Sequence, residues 1–243
     1  MTMQITVLGT DYEGLTISVG LASLGHTVTA VDTDARRARR FQRGMGADSD
    51  VRLSKQMKLA VREGKLKFTP EPETSLTQAD VVIIAGVPGS SESGIPDRAA
   101  VLRTAECLTG AAASYSTVIV TASAPTGSCR LLQDWMNDAL PTGAAQVVAC
   151  PVFFAAPDGL VEFLNPDRIV LGYENESARR VVDELFANML QNDPPVCHVS
   201  WEAAEMMRST TGSLAAALPS GAEGSQKTEE NAKEAFSRIG QRR

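Results

Sequence analysis

Short apolar runs alternate with amphipathic segments along most of the chain. Apolar, β-branched runs predict strands at 5–8, 27–31, 65–69, 81–85, 117–121, 146–149, 169–172 and 196–199. Apolar residues at helical spacing predict helices at 11–24, 35–43, 54–62, 98–107, 129–139, 177–190 and 201–218. Strands that alternate with helices in this way favour right-handed βαβ units and a parallel sheet.

A glycine motif follows the first predicted strand. Residues 9–14 read Gly-Thr-Asp-Tyr-Glu-Gly. When such a loop joins a strand to a helix, the backbone N–H groups at the helix start can bind a pyrophosphate. Gly9 supports the tight turn, and Gly14 permits close packing of the helix on the strand. The motif therefore predicts a dinucleotide-binding fold, although Asp11 stands where glycine is usual.

The side chain of Asp11 has two alternative places. Its carboxylate could face the phosphates of the ligand, with a repulsion of roughly 1 to 4 kcal/mol. Such a repulsion would weaken binding by about ten-fold to several-hundred-fold. Alternatively, Asp11 could turn away and cap the N-terminus of the helix, where aspartate is a favoured residue.

An acidic residue also ends the second predicted strand. Asp32 lies eighteen residues after Gly14. An acid at this distance can hydrogen-bond the ribose hydroxyls of adenosine and disfavours a 2′-phosphate. Several arginines follow, including Arg37, and they leave the choice between NAD and NADP open. The alternative is that Asp32 only caps the next helix and that the arginines form a solvated face.

These features define the expected fold class. It is α/β, with a Rossmann-type doubly wound parallel sheet, a long C-terminal helix and a polar tail. We expect residues 1–200 to form the dinucleotide-binding domain and 201–218 to form one helix rich in Ala and Met. Residues 219–243 are polar with mixed charges, so we expect a loosely ordered tail with a weak helix at 229–239.

Composition excludes several classes of protein. The net charge of −6 argues against non-specific nucleic-acid binding. No run of 18 apolar residues predicts a membrane span, and no basic segment precedes an apolar stretch as in a signal peptide. The four cysteines have no metal-ligand spacing, so we expect no metal site. Reduced thiols and the lack of a signal peptide favour a cytoplasmic location.

Several segments resemble the UDP-glucose/GDP-mannose dehydrogenase family. Residues 7–15 are similar to that family's opening Gly-Thr-Gly-Tyr-Val-Gly-Leu, and the segment Phe-Leu-Asn-Pro-Asp-Arg-Ile-Val-Leu-Gly at 163–172 is the strongest match. Other matching segments lie at 24–34, 63–69, 79–85 and 123–128. The similarity covers roughly residues 1–216.

The resemblance implies a reaction and its machinery. Members of the family use NAD to oxidise the C6 alcohol of a nucleotide sugar to a carboxylate. A cysteine forms the covalent intermediate, a lysine and an asparagine stabilise the oxyanion, and a glutamate supports hydrolysis. A long central helix builds a dimer, which implies that 201–218 could join this chain to itself or to another chain. The implied ligands are therefore NAD and a nucleotide sugar.

Several catalytic positions of the resembled family carry other residues in this chain. The glutamate is replaced by Val152, which cannot transfer a proton, and the asparagine by Gly212. The lysine is replaced by Arg208, which keeps the charge but not the point-donor geometry. The threonine is replaced by Ser123, a mild change. The cysteine segment and the sugar domain are expected beyond the end of this chain, and Cys150 is not placed to replace that nucleophile.

These departures favour a catalytically impaired member that retains its Rossmann scaffold as an interaction or regulatory subunit. The first alternative is an NAD-dependent nucleotide-sugar oxidoreductase that needs a partner chain for the cysteine and the sugar-binding domain. The second is a decayed gene product without a function. The expected cofactor contacts are Gly9, Thr10, Asp11, Tyr12, Gly14, Asp32, Arg37, Pro88 and Ser123.

Glu205 and Arg208 lie one helical turn apart. An exposed ion pair is the simpler expectation for these two residues, and a role at a degenerate catalytic position is the alternative.

Overall fold

The computed structural model describes residues 2–46, 50–86, 98–110, 116–141, 145–154, 158–190 and 194–209. Its strands are β1 (Gln4–Leu8), β2 (Thr27–Val31), β3 (Leu66–Thr69), β4 (Val81–Ile84), β5 (Thr117–Val120), β6 (Gln146–Ala149), β7 (Ile169–Gly172) and β8 (Val196–Val199). They form one sheet in the order β3-β2-β1-β4-β5-β6-β7-β8. The order reverses direction between β1 and β4, as it does in the Rossmann fold, which confirms the expected fold class.

Helices connect the strands. They are α1 (Tyr12–Ser23), α2 (Ala35–Gln42), α3 (Val51–Arg62), α4 (Pro72–Leu76), α5 (Arg98–Gly110), α6 (Ser128–Ala139), α7 (Gly159–Leu164), α8 (Glu176–Leu185), α9 (Ala187–Leu190) and α10 (Trp201–Ser209). The sequence pattern did not predict α4 and α7, because helices of five and six residues are too short for a periodicity to show. The single helix predicted at 177–190 is interrupted at Phe186, between α8 and α9.

Two strands, β7 and β8, run opposite to the other six and so depart from the parallel sheet that the pattern predicted. β6 pairs with β7 in antiparallel fashion, with Ala149 opposite Gly172, whereas β7 and β8 are parallel to each other. The connection from β6 to β7 contains the six-residue helix α7, which rises only about 9 Å. Because this helix is so short, the connection does not return the chain to the amino edge of the sheet. Strand β7 therefore begins at the carboxyl edge.

Apolar layers cover both faces of the sheet. On one face α1 contributes Val19 and Leu21, which lie in one core cluster with Phe163 of α7. On the other face Leu132 of α6 and Trp201 of α10 belong to the second cluster. Because both faces are covered, the central strands are buried along their whole length, as their unbroken apolar sequences predicted.

The described residues also bear on two expectations about chemistry. All four cysteines are free; Cys129 and Cys150 are buried, and Cys107 and Cys197 are partly buried. Within the described ranges, no group of His, Cys, Asp and Glu side chains could hold a metal ion.

In the same ranges, none of the helices combines the length and the apolar character needed to cross a bilayer. Residues 210–218 of the predicted long helix and the tail at 219–243 lie outside the described part.

Candidate nucleotide-binding site

Two glycines close the gap between the ends of β1 and β4. Gly9 has a φ angle of 102°, and a Cβ atom built on it would lie 2.6 Å from the backbone N of Gly86. A Cβ atom on Gly14 would lie 2.2 Å from the carbonyl oxygen of Gly9. Neither position accepts a side chain, because the obstacle is backbone. The roles predicted for Gly9 and Gly14 are confirmed. Gly86 was not predicted, although a glycine directly after a buried strand was its signal.

Asp11 caps the helix that starts at the glycine motif. Its Oδ1 atom accepts a hydrogen bond from the backbone N–H of Gly14 at 2.9 Å. The other oxygen lies toward Gly86, because Oδ2 is 3.8 Å from the ideal Cβ position of that residue. Of the two places predicted for the Asp11 side chain, the structure adopts the cap. The cap nevertheless leaves a carboxylate at the N-terminus of α1, where a Rossmann fold receives the pyrophosphate.

Asp32 is buried at the end of β2, with only 2% of its surface exposed. The hydroxyl of Thr10 and the Nε atom of Arg37 both donate to its Oδ2 atom. Oδ1 accepts from the Nη2 atom of Arg37 at 3.0 Å and from the backbone N–H of Asp34 at 2.9 Å. Burial alone raises the pKa of Asp32, but the hydrogen bonds from Arg37, Thr10 and Asp34 outweigh it, so the pKa is lowered. Both oxygens of this carboxylate therefore already have donors within the chain.

The alternative function predicted for Asp32, as the cap of the next helix, is wrong. Asp34 is the residue that caps α2, and it accepts from the backbone N–H of Arg36 at 2.8 Å. The arginines of α2 lie on its exposed side, as expected for a solvated face. Arg37 differs from that expectation, because its guanidinium also binds Asp32.

Tyr12 links three helices. Its hydroxyl donates to Asp50 Oδ2 at 3.1 Å and accepts from the backbone N–H of Gly159, also at 3.1 Å. Asp50 in turn caps α3 through the backbone N–H of Leu53. Burial raises the pKa of Tyr12. The side chain of Tyr12, a residue predicted to contact the cofactor, thus takes part in a structural network, and no local sequence signal pointed to Asp50 as its partner.

The loop that carries Ser123 leaves the end of β5. The backbone N–H groups of Thr121 and Ala122 both donate to the carbonyl of Ile84, at 3.0 and 3.1 Å. Since Ile84 ends β4 and Gly86 follows it, this loop borders the same carboxyl edge as the glycine motif. Ser123 therefore lies beside the crevice at which a Rossmann fold binds a dinucleotide.

The exposed ion pair predicted for Glu205 and Arg208 is wrong as far as Glu205 is concerned. Glu205 is buried, with 6% of its surface exposed. Its two oxygens accept from the backbone N–H groups of Gly127 at 2.6 Å and Cys129 at 2.7 Å. Burial raises the pKa of the Cys129 thiol well above its usual value, and the charge of Glu205 adds to the effect. The backbone of Arg208 belongs to α10, and its side chain lies outside the described residues.

Val152 follows β6 and packs, partly buried, against the larger core cluster. A cavity of about 380 Å³ lies along this segment; its lining includes Val152, Phe153, Phe154, Phe163 and Arg168. The side chain of Val152 is aliphatic and has no ionisable group. Pro88 and Gly212, two further predicted site positions, lie outside the described residues.

The crevice and the strand order together define a dinucleotide-binding domain of the Rossmann class. The family model for the UDP-glucose/GDP-mannose dehydrogenase family, NAD binding domain, matches residues 3–190. The chain therefore belongs to this family, and it contains an NAD-binding domain. The resemblance found in the sequence motifs is confirmed.

Related proteins of known sequence agree with this assignment. A UDP-glucose 6-dehydrogenase of Rhizobium meliloti is 27% identical over 209 residues, which covers 85% of this chain and 48% of that enzyme. A UDP-glucose 6-dehydrogenase of Bacillus subtilis is 28% identical over 208 residues, which covers 85% and 46% respectively. The chain thus spans about half the length of the curated relatives that it matches.

Solved structures show the same fold. The GDP-mannose dehydrogenase of Pseudomonas aeruginosa superposes with a TM-score of 0.78 at 21% identity, over 88% of this chain and 50% of that structure. A UDP-glucose dehydrogenase of Pyrobaculum islandicum gives a TM-score of 0.71 at 24% identity, over 86% and 48%. At such identities the likeness extends to the fold alone.

Proposed function

We propose that the chain is a catalytically impaired member of its family, which keeps the NAD crevice and serves as an interaction or regulatory subunit. The observation that carries this proposal is the presence of a valine, Val152, at a position of the catalytic machinery. Val152 occupies the position at which the family resemblance places a glutamate, and it packs against apolar side chains. A valine can neither take nor give a proton, so the hydrolysis step that the glutamate supports has no such group at this position.

The residues at the crevice fit NAD in shape but only partly in charge. The close approach of Gly9 and Gly86 supports a fit to a pyrophosphate, because this approach leaves no room for a side chain between the strand ends. Asp32 stands where the adenosine ribose would bind, although Arg37 and Thr10 already donate to it. Asp11 opposes the phosphates by its charge. NAD would supply a hydride acceptor when bound, and we propose that it binds with reduced affinity.

The partner surface in this proposal is the helix predicted at 201–218. The described start of that helix, α10, already packs on its own sheet through Trp201, Ala204 and Met207. A partner, either a second copy or another chain, would therefore bind the remaining part of the helix. Analytical ultracentrifugation of the purified chain tests whether the partner is a second copy, and a monomer at concentrations of tens of micromolar would rule the second copy out.

Titration calorimetry with NAD, NADH and UDP-glucose, combined with an assay of NADH formation, tests the proposal. We expect NAD to bind more weakly than micromolar, and we expect no NADH from UDP-glucose with the purified chain. Turnover of UDP-glucose by the chain alone would overturn the proposed impairment. Micromolar affinity for NAD would overturn the proposed reduction in affinity.

A second candidate function is a nucleotide-sugar oxidoreductase that acts together with a partner chain. The NAD-binding domain that the chain contains favours it, because hydride transfer to NAD needs such a domain. The test adds the separately produced C-terminal half of the Rhizobium meliloti relative to this chain. NADH formation from UDP-glucose in the mixture, and in neither component alone, would support this second function.

A further inference from the structure

We propose that Glu205 couples helix α10 to the loop bordering the nucleotide crevice, so that a change in the position of α10 alters the affinity for the nicotinamide half of the cofactor. The predicted change in affinity rests on the proposed binding of NAD. The contact between α10 and the loop rests on the geometry of the chain alone. Glu205 acts here as a positioning residue, since it contacts the loop and not the cofactor.

The link consists of two charge-assisted hydrogen bonds. Both carboxylate oxygens of Glu205 bind backbone N–H groups at the start of α6, those of Gly127 and Cys129. Gly127 has a φ angle of 90° and, as the N-cap of α6, offers no side chain to satisfy these groups. A carboxylate at a helix N-terminus is stabilised by the helix dipole, and this interaction is stronger when the carboxylate is buried. Glu205 is thus the cap of α6, supplied by a different helix.

Helix α10, which carries Glu205, is attached to the sheet. Trp201, one turn before Glu205, donates from its indole Nε1 to the carbonyl of Val147 in β6 at 3.1 Å. Ala204 and Met207 are buried in the same core cluster as Trp201. The first turns of α10 therefore move as one body with Glu205, and a displacement of the helix would withdraw the carboxylate from the start of α6.

The loop that Glu205 binds borders the crevice. The loop between β5 and α6 is anchored at one end by Thr121 and Ala122, which bind the carbonyl of Ile84. At its other end it is anchored by Glu205, through Gly127. The loop has Ser123 between these two anchors. In a Rossmann fold the adenosine half of a dinucleotide lies at the β2 side and the other half at the β4 side, so this loop borders the nicotinamide half.

The experiment compares Glu205→Gln with Glu202→Gln in the full chain. Glu202 lies on the same helix and also contacts α6, but through an exposed ion pair with Arg130 at 2.9 Å. A glutamine at 205 accepts from one N–H group and presents its own N–H₂ to the other. We expect amide hydrogen exchange at Gly127 and Cys129 to accelerate by about ten-fold, the consequence of losing one charge-assisted hydrogen bond. Exchange in β1 and β2 should stay unchanged.

Ligand affinity separates coupling from a merely structural role. Glu205→Gln should weaken NAD binding several-fold while leaving the affinity for AMP, which has no nicotinamide half, unchanged. Glu202→Gln should change neither affinity. Equal weakening of NAD and AMP, unchanged NAD affinity despite faster exchange, or an equal effect of Glu202→Gln would each overturn the coupling. If the unmodified chain binds neither ligand, the proposed NAD binding fails, and unchanged exchange at Gly127 and Cys129 would still refute the link.

A thiol measurement covers the case in which Glu205→Gln folds poorly. Cys129 is fully buried beside Glu205, whereas Cys107 and Cys197 are partly buried. In the conservative variant Glu205→Asp, which is one methylene shorter, alkylation of Cys129 should accelerate relative to these two reference thiols. Uniform acceleration at all three cysteines would indicate general unfolding, and it would count against a local link.

Discussion

The carboxylate of Asp11 accepts a hydrogen bond from the backbone N–H of Gly14 at 2.9 Å, so the helix that should receive a pyrophosphate carries its own anion. A phosphate at this end of α1 would meet a negative charge about 4 Å away, at a cost of roughly 1 to 4 kcal/mol. The cap and the ligand thus compete for the same helix terminus.

Asp11→Gly tests this competition. We expect the affinity for NAD to rise by about ten-fold or more, because the repulsion is removed and the backbone can approach the phosphates. The loss of the cap should cost only a few tenths of a kcal/mol when glycine replaces aspartate. Calorimetry measures the affinity, and Asn175→Gly, which removes the cap of α8, is the matched control. Unchanged NAD affinity in Asp11→Gly would show that Asp11 is not the defect.

Gly14→Ala should separate α1 from β1. The new Cβ atom would lie 2.2 Å from the carbonyl oxygen of Gly9, a backbone atom that cannot rotate away. We expect a loss of stability of about 1 to 3 kcal/mol, the usual range for overpacking. NAD affinity should fall with it. Urea denaturation gives the stability. Ser23→Ala, on the same helix and with its hydroxyl bonded to the carbonyl of Val19, is the control and should change little.

Two histidines make stability depend on pH. The backbone N–H of Met3 donates to His26 Nδ1 at 3.2 Å, so Nε2 carries the proton and donates to the carbonyl of Leu185. Burial lowers the pKa of His26, and burial with the nearby charge of Arg179 lowers that of His198. Both side chains are therefore neutral in the folded state when the unfolded chain already binds protons.

The two neutral histidines therefore contribute to the free energy of unfolding in full above their unfolded pKa of about 6.5. This contribution is lost as the pH falls through the folded pKa values. The measurement is the free energy of unfolding between pH 5 and pH 8. His26→Gln should flatten the slope below about pH 6.5. A slope that stays the same in His26→Gln would mean that this residue does not contribute to it.

Arg37→Ala should weaken the end of β2. The guanidinium donates to both oxygens of Asp32, and these bonds help to keep the pKa of Asp32 low. Since Arg37 is about half exposed, we expect a loss of only about 1 kcal/mol at neutral pH. The contribution of a carboxyl with a lowered pKa is present above its unfolded pKa and disappears as the pH falls. Arg40→Ala, exposed on the same helix, is the control in urea denaturation at pH 7 and at pH 3.

The strands and the longer helices could be predicted because their signals are local. The short, β-branched apolar run at 81–84 is typical of a buried strand, and the glycine motif limits its own backbone through nearby sterics. Helix α7 was missed because six residues are too few to show a periodic pattern. Strand β7 was predicted, but its direction and that of β8 were not, because direction depends on the path of the connecting chain. The exposed ion pair predicted for Glu205 was wrong because the sequence pattern shows only partners within one helical turn, such as Arg208. The actual partners, Gly127 and Cys129, are remote in sequence.

The sequence by itself determined the Rossmann class, the family, and the chemical identity of the residues at the crevice, including Asp11 and Val152. Only the tertiary structure decided what those residues do. Asp11 is a cap, both oxygens of Asp32 already have donors, and Glu205 binds an N–H group 78 residues away in the chain. The physical reason is that hydrogen bonds of buried polar groups are satisfied by whichever donors the packing brings near, and packing follows from contacts between segments that are remote in sequence.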